Sequence, residues 1–212
     1  MKKFITFEGG EGTGKSTQAK LLSKSLLSIN ESNLLTREPG GTKVSDKIRR
    51  ILVEDKNSNI SSDVELLLIY ASRHQHLKEK IIPSLKEKTV ICDRYIHSTI
   101  SYQFDIKNFA KKLEFFHQNF AFNLMPDLTI LLDIAPDDGL KRSLKIKKKE
   151  TRFEKKDKIY HERIRQNFLK LTEKYNKIYK IDASLSKKVI HKEIIEHLNT
   201  LLFFKRKLPC VI

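Results

Sequence analysis

Short apolar runs alternate along this chain with longer segments in which apolar residues recur every three or four positions. Phe4, Ile5 and Phe7 form the first run, which stops at a glycine cluster. Ala19, Leu22 and Leu26 then continue at helical spacing. Leu34-Leu-Thr-Arg-Glu-Pro-Gly-Gly-Thr42 predicts a second short strand closed by a Pro-Gly-Gly turn. Thr89-Val-Ile-Cys-Asp-Arg-Tyr95 predicts a third. Pro126-Asp-Leu-Thr-Ile-Leu-Leu-Asp133 predicts a fourth, with a continuous apolar centre that suits a sheet covered on both faces. Tyr179-Lys-Ile-Asp182 is a weaker fifth. Ser62-x-x-Glu65 reads as a capping box opening a helix with Leu66, Ile69, Tyr70 and Leu77 on one stripe. Two further stripes follow, Ile164, Phe168, Leu171 and Tyr175, then Ile190, Ile194, Leu198 and Leu201. This alternation predicts a doubly wound α/β fold of about five parallel strands flanked by helices in three layers.

Length and composition narrow the setting. A chain of 212 residues is most simply one domain, 1–212, large enough to bury a core. The net charge of +16 and pI near 9.7 raise nucleic acid as a partner. The basic residues are spread from Lys2 to Lys207, however, and no helix-turn-helix, zinc-finger or RNP-type motif accompanies them. That argues against nucleic acid as the main partner. The two cysteines, Cys92 and Cys210, make no disulfide framework or zinc-spaced cluster, so a reducing compartment is the default. No apolar stretch reaches bilayer length, and the expectation is a cytoplasmic protein with no membrane partner.

The chemistry begins in the first glycine cluster. Gly9-Gly-Glu-Gly-Thr-Gly-Lys-Ser-Thr17 fits G-x-x-x-x-G-K-S, between a strand and a helix. Glycines let backbone N–H groups converge on phosphate oxygens, and the following helix aims its positive end at the same charge. This predicts a nucleoside-triphosphate-binding P-loop, with Gly9, Gly10, Glu11, Gly12, Thr13, Gly14, Lys15, Ser16 and Thr17 around the phosphates. Lys15 would bridge the β- and γ-phosphates, and the Ser16 hydroxyl would hold Mg²⁺.

In an open parallel sheet, ligands collect outside the carboxyl ends of the strands. Arg37 and Glu38 stand at one such end, either as a site or as a solvated surface ion pair. Asp93 and Arg94 stand at another, where an aspartate can hold Mg²⁺ through water and a guanidinium can pair with phosphate. Arg73 falls on the apolar helix stripe and must snorkel to water or find a partner. From Arg142 to Lys149 there are five basic residues and no acid. This run is either a solvated face or a lid that excludes water and places cations on a transferred group.

Together these motifs resemble the thymidylate kinase family over most of the chain. The matching segments are Phe7–Thr17, Thr36-Arg-Glu-Pro-Gly-Gly-Thr42, Asp93-Arg-Tyr95 with Ser98-Thr99 and Tyr102-Gln103, Pro126-Asp-Leu-Thr129 and Gly139-Leu-Lys-Arg142. The resemblance implies transfer of the γ-phosphoryl group of ATP to dTMP with Mg²⁺, and a homodimer. It implies that Arg37 and Arg94 contact the dTMP phosphate, Arg73 the O4 edge of thymine, and Thr99 the base's polar edge. Tyr102 would pack on the sugar and Glu11 would face the 3′-OH. Positions 10 to 13 carry no cation, so the chain resembles the bacterial type that depends on a lid, here about 142–154. Catalytic charge would then come from Lys15, Arg94, Arg142 and one or more of Lys145, Lys147, Lys148, Lys149 and Arg152. Two departures stand out. Ile69 occupies a position where relatives commonly place a phenylalanine, and the lid uses mainly lysines, which lack a bidentate fork. A kinase of another deoxynucleotide, and a basic P-loop ATPase acting on nucleic acid, are the competing readings.

Overall fold

The computed structural model describes residues 2–53, 60–103, 109–145, 152–153 and 156–212. Five parallel strands form its sheet: β1 (Phe4–Glu8), β2 (Asn33–Arg37), β3 (Thr89–Asp93), β4 (Leu128–Asp133) and β5 (Ile178–Asp182). Their spatial order is β2-β3-β1-β4-β5. β1 is central, with Phe4 opposite Val90 of β3 and Ile5 opposite Leu128 of β4. The first crossovers build towards β2, and the later ones cross to the other side of β1. The carboxyl end of β1 is therefore the switch point, where loops diverge and leave a crevice.

Strand alternation sorts the core into two layers. Ile5, Phe7, Ile91, Ile130 and Leu132 face α1 (Lys15–Ser28) and α9 (Lys187–Thr200), packing on Ala19, Leu22, Leu26, Ile190, Ile194 and Leu198. Phe4, Val90, Cys92 and Leu131 face the opposite layer. That layer includes α3 (Ser62–His76), α5 (Ile96–Gln103), α6 (Phe109–Phe120) and α8 (Lys158–Lys174). A π turn over Leu77–Ile81 and the short α4 (Ile82–Ser84) extend α3. α2 (Lys43–Val53) packs on α3, and α7 (Pro136–Leu144) follows β4.

Two readings of the sequence need correction. Helix α3 is capped by Ser61, whose hydroxyl accepts from the Val64 N–H, rather than by a box between Ser62 and Glu65. The Glu65 carboxylate turns instead to Gln103 and Arg152. Leu201 lies just past α9 and is half exposed, so that helix's buried stripe ends at Leu198.

The Pro126-Asp-Leu-Thr segment is structural. The Asp127 carboxylate accepts from the Phe4 N–H at 2.7 Å, fixing the entry of β1, and Thr129 shares a hydrogen bond with Thr6 across the strands. Among the described residues no helix is long and apolar enough to cross a membrane.

Candidate active site

The loop from Gly9 to Gly14 joins β1 to α1 at the crevice. Its glycines are required by what surrounds them. A Cβ on Gly12 would lie 1.8 Å from the Gly139 carbonyl oxygen, and one on Gly139 would lie 2.4 Å from the Glu11 oxygen. The backbones of the loop and of α7 thus touch, so the glycine of the Gly139-Leu-Lys-Arg142 segment serves packing against the loop. Gly14 caps α1 at φ 91°, turning the first free N–H groups of the helix towards the crevice.

Lys15 folds back over this loop. Its ammonium donates to the Gly10 carbonyl at 2.5 Å and to Thr13 Oγ1 at 3.2 Å. Burial pulls its pKa down to about 8, with the Arg94 charge adding to the effect and Glu11, Asp93 and Glu8 opposing it. Such a cation, lodged on its own loop, is held ready for an anion that would replace the carbonyl. Beside it, the Ser16 hydroxyl donates to the Asp93 carboxylate.

Arg94 follows β3 with φ 68°, a left-handed conformation that costs roughly 1 kcal/mol for a residue with a side chain. The turn brings its guanidinium back over the loop. There it donates to the Gly9 carbonyl at 2.9 Å, to Ser98 at 3.2 Å and to Glu11 at 2.6 Å. It also lies over the Tyr102 ring, and the Tyr102 hydroxyl donates to the same Glu11 oxygen at 3.1 Å. Burial alone would weaken this guanidinium's proton, but Tyr102, Glu11, Asp93 and Glu8 outweigh burial and keep it charged. Beneath it Glu8, fully buried at the end of β1, accepts from the Tyr95 N–H and from Ser98. Burial pushes the Glu8 carboxyl up, against the hydrogen bonds and the Arg94 charge.

Arg73 does not snorkel. It is 2% exposed, with Nε donating to Glu38 at 2.7 Å and Nη2 to Thr99 at 2.9 Å. Its guanidinium lies between the Tyr70 and Tyr95 rings. Nη1 is buried and has no hydrogen-bond partner among the described residues. A buried donor left open costs free energy until something accepts from it.

The crevice is a single cleft of about 410 Å³. It is lined by Glu11, Gly12, Gly14, Lys15, Ser16 and Thr17 from the loop and α1, and by Arg37, Ile69, Arg73, Asp93, Arg94, Thr99 and Tyr102. Every residue expected at the acceptor end therefore faces one space. Arg37 is exposed at its rim. Glu38 lines it too, the other residue of that strand end, together with Pro39, Arg49, Leu52, Val53, Ser98 and Phe153, which the sequence did not single out as ligand contacts.

The lid candidates are placed unevenly. Arg142 lines the cleft, but its fork donates to the Ala183 and Ser184 carbonyls after β5, at 2.6 and 2.9 Å. Arg152 pairs with Glu65 at 2.6 Å and donates to the Leu52 carbonyl, while Phe153 sets its ring edge-on to Tyr102. Lys145 is exposed after α7. Lys147, Lys148 and Lys149 lie outside the described residues.

Among the described residues no group of three or more His, Cys, Asp or Glu could hold a metal ion alone. Ser16 and Asp93 offer a hydroxyl and a carboxylate at the phosphate loop. This small oxygen donor set suits Mg²⁺, which keeps waters and takes its remaining ligands from phosphates.

A P-loop at the switch point of a 2-3-1-4-5 parallel sheet, facing arginines from the ends of two other strands and from a helix, defines a phosphotransferase-type nucleotide protein. The comparisons with known proteins sharpen this class. The chain belongs to the thymidylate kinase family, whose sequence model, described as Thymidylate kinase, matches residues 7–194. It is 39% identical over 197 residues to a thymidylate kinase of Acholeplasma laidlawii, covering 92% of this chain and 98% of the relative. It is 42% identical over 185 residues to one of Clostridium novyi, covering 85% and 90%. A crystal structure of thymidylate kinase from Ehrlichia chaffeensis superposes with a TM-score of 0.71 at 32% identity, covering 93% of this chain and 98% of that one.

Proposed function

We propose that this chain is a dTMP kinase, transferring the γ-phosphoryl group of ATP to dTMP to give dTDP and ADP, a step in nucleotide biosynthesis. The observation that carries this reading is the gathering of Arg73, Thr99 and Ile69 in one cleft with the P-loop residues, Arg73 donating to Thr99 through Nη2 while its Nη1 has no partner among the described residues. It supports a base edge bearing an acceptor oxygen. Arg94 and Arg37 are suited to the monophosphate between that base and the triphosphate. Tyr102 and Glu11, hydrogen-bonded to each other, would face the sugar.

The reaction asks for little covalent chemistry from the protein. An acceptor phosphate is already anionic near neutral pH and needs no general base. The protein aligns two anions end to end, neutralises the charge between them and keeps water out. Lys15, with Gly9 to Thr17 around it, would cradle the donor phosphates. Arg94 would neutralise the acceptor oxygen that attacks. Arg142 and the lid over 142–154 would close the ATP side. Mg²⁺, when bound, neutralises phosphate charge, and Ser16 and Asp93 are the residues that would hold it. We take residues 1–212 as one catalytic domain acting in the cytoplasm as a homodimer.

A coupled ATP-consumption assay across dTMP, dUMP, AMP, GMP and CMP tests the reading. dTMP gives the highest kcat/KM if it holds. Preference for a purine nucleotide, or ATP turnover stimulated by nucleic acid and not by dTMP, overturns it.

A further inference from the structure

Behind the cleft a chain of buried polar groups runs through His76, a residue that touches none of the cleft's contents. His76 lies one helical turn after Arg73 on α3 and is 0% exposed. Its Nδ1 lies 3.2 Å from Glu38 Oε1, and its Nε2 lies 2.8 Å from the Thr36 hydroxyl. The other Glu38 oxygen, Oε2, receives Arg73 Nε at 2.7 Å. Burial pushes the Glu38 carboxyl up, but Arg73 and His76 outweigh it and hold it below its usual value. Glu38 is accordingly a carboxylate that only accepts, so Nδ1 must carry the proton it donates. In the neutral ring, Nε2 is then left to accept from Thr36.

The surrounding backbone is cut to this imidazole. Gly41, at φ 97°, has no room for a side chain, since a Cβ there would lie 2.4 Å from His76 Nε2. The Pro39-Gly-Gly41 turn is further pinned to α3 by the Gly40 N–H donating to Ser72 Oγ, and the α2 helix that follows it is tied to α3 by Ser45 donating to the Ser72 carbonyl.

We propose that His76 is a positioning residue for base recognition. Clamped by Thr36, it fixes the Glu38 carboxylate, and that carboxylate fixes the rotation of the Arg73 guanidinium where it lines the acceptor cleft. Glu38 and Thr99 alone hold two of the three Arg73 nitrogens. A carboxylate free to turn about its last bond would let the fork swing between the two tyrosine rings. His76 removes that freedom from the side remote from the substrate. The inference rests on the reading of this cleft as a dTMP site, because the group that Arg73 meets there is taken to be a base carbonyl.

The test compares wild type with His76→Leu, His76→Asn, His76→Gln and Thr36→Val, measuring steady-state constants for dTMP, dCMP and ATP. Asn keeps an N–H where Nδ1 faces Glu38, and Gln keeps a polar group where Nε2 faces Thr36. His76→Leu is expected to raise the dTMP KM about tenfold, leave the ATP KM within twofold, and narrow the dTMP-over-dCMP ratio of kcat/KM. His76→Asn recovers most of the loss, and Thr36→Val falls between Asn and Leu. An unchanged dTMP KM, or KM values for dTMP and ATP that rise together, overturns the inference. If His76→Leu does not fold, the Asn and Gln variants decide: Asn must keep the lower dTMP KM, and equal values overturn the positioning role. A wild-type chain that ignores dTMP overturns the functional reading itself, and this inference with it.

Discussion

The hydroxyl of Ser16 donates to the carboxylate of Asp93, tying the first turn of α1 to the carboxyl end of β3. These two oxygens are the donors that would hold Mg²⁺ against the nucleotide phosphates. Chelating the metal with EDTA is expected to abolish turnover. Ser16→Ala is expected to raise the Mg²⁺ concentration giving half-maximal rate on the order of tenfold, the usual scale for losing such a group. A Mg²⁺ titration of initial rates checks this, and an unchanged titration curve contradicts it.

Lys15 is the buried cation of the phosphate loop, while the lysines after α7 follow one another in sequence. Lys15→Ala should lower kcat by about 10²–10³-fold, the loss seen when a placed electrostatic group is removed from a reaction centre. Single changes of Lys145, Lys147, Lys148 or Lys149 to Ala should each cost less, because neighbours of the same charge can substitute. Saturating rates measured for the five variants decide. One lid lysine as costly as Lys15 would contradict the redundancy.

The lowered pKa of Lys15 has a signed consequence for binding. With its pKa pulled down to about 8, part of the free protein lacks this proton as pH rises through that range, and a triphosphate arriving at the ammonium draws it back. The group is charged below its pKa and neutral above, so ATP affinity falls as pH rises through 8. Calorimetric titration in two buffers of different ionisation enthalpy should show net proton uptake on ATP binding that is larger at pH 8 than at pH 7. Proton release, or no uptake, contradicts the picture.

Gly12 and Gly139 meet backbone to backbone. A methyl at Gly139 would press on the Glu11 carbonyl and push α7 from the loop. Gly139→Ala is expected to cost roughly 1–3 kcal/mol of stability, as overpacked contacts do, and to weaken ATP binding. Thermal unfolding with and without ATP would show both. Wild-type values in both measurements would contradict the contact's importance.

The sheet was legible because each strand is short, mostly apolar and ends in an acidic residue or, in β2, at Arg37 before a Pro-Gly-Gly turn. Those ends also pointed to residues that line the cleft: Lys15 and Ser16 follow from motif spacing, Asp93 and Arg94 from their place at the end of β3. What failed was pairing across long sequence distances. In sequence Arg37 and Glu38 read together, as one site or one solvated ion pair, yet successive residues of an extended chain face opposite ways. Arg37 stays exposed at the cleft rim, whereas Glu38 turns inward to Arg73, 35 positions along. The alternation of an extended strand was the signal that could have separated them. His76 could similarly have been noticed as lying one turn beyond Arg73 on the same helix face. Glu8 and Phe153 offered no such signal, since their roles depend on β3 and the lid arriving beside them. The capping box slipped by one residue because two consecutive serines, Ser61 and Ser62, compete for the cap.

The most direct test is a crystal structure of the protein with dTMP and a non-hydrolysable ATP analogue. The account predicts the base between Ile69 and Arg73, with Nη1 of Arg73 on the thymine O4 and the guanidinium groups of Arg37 and Arg94 on the dTMP phosphate. A monophosphate bound elsewhere, or with those three arginines turned away from it, would contradict the account.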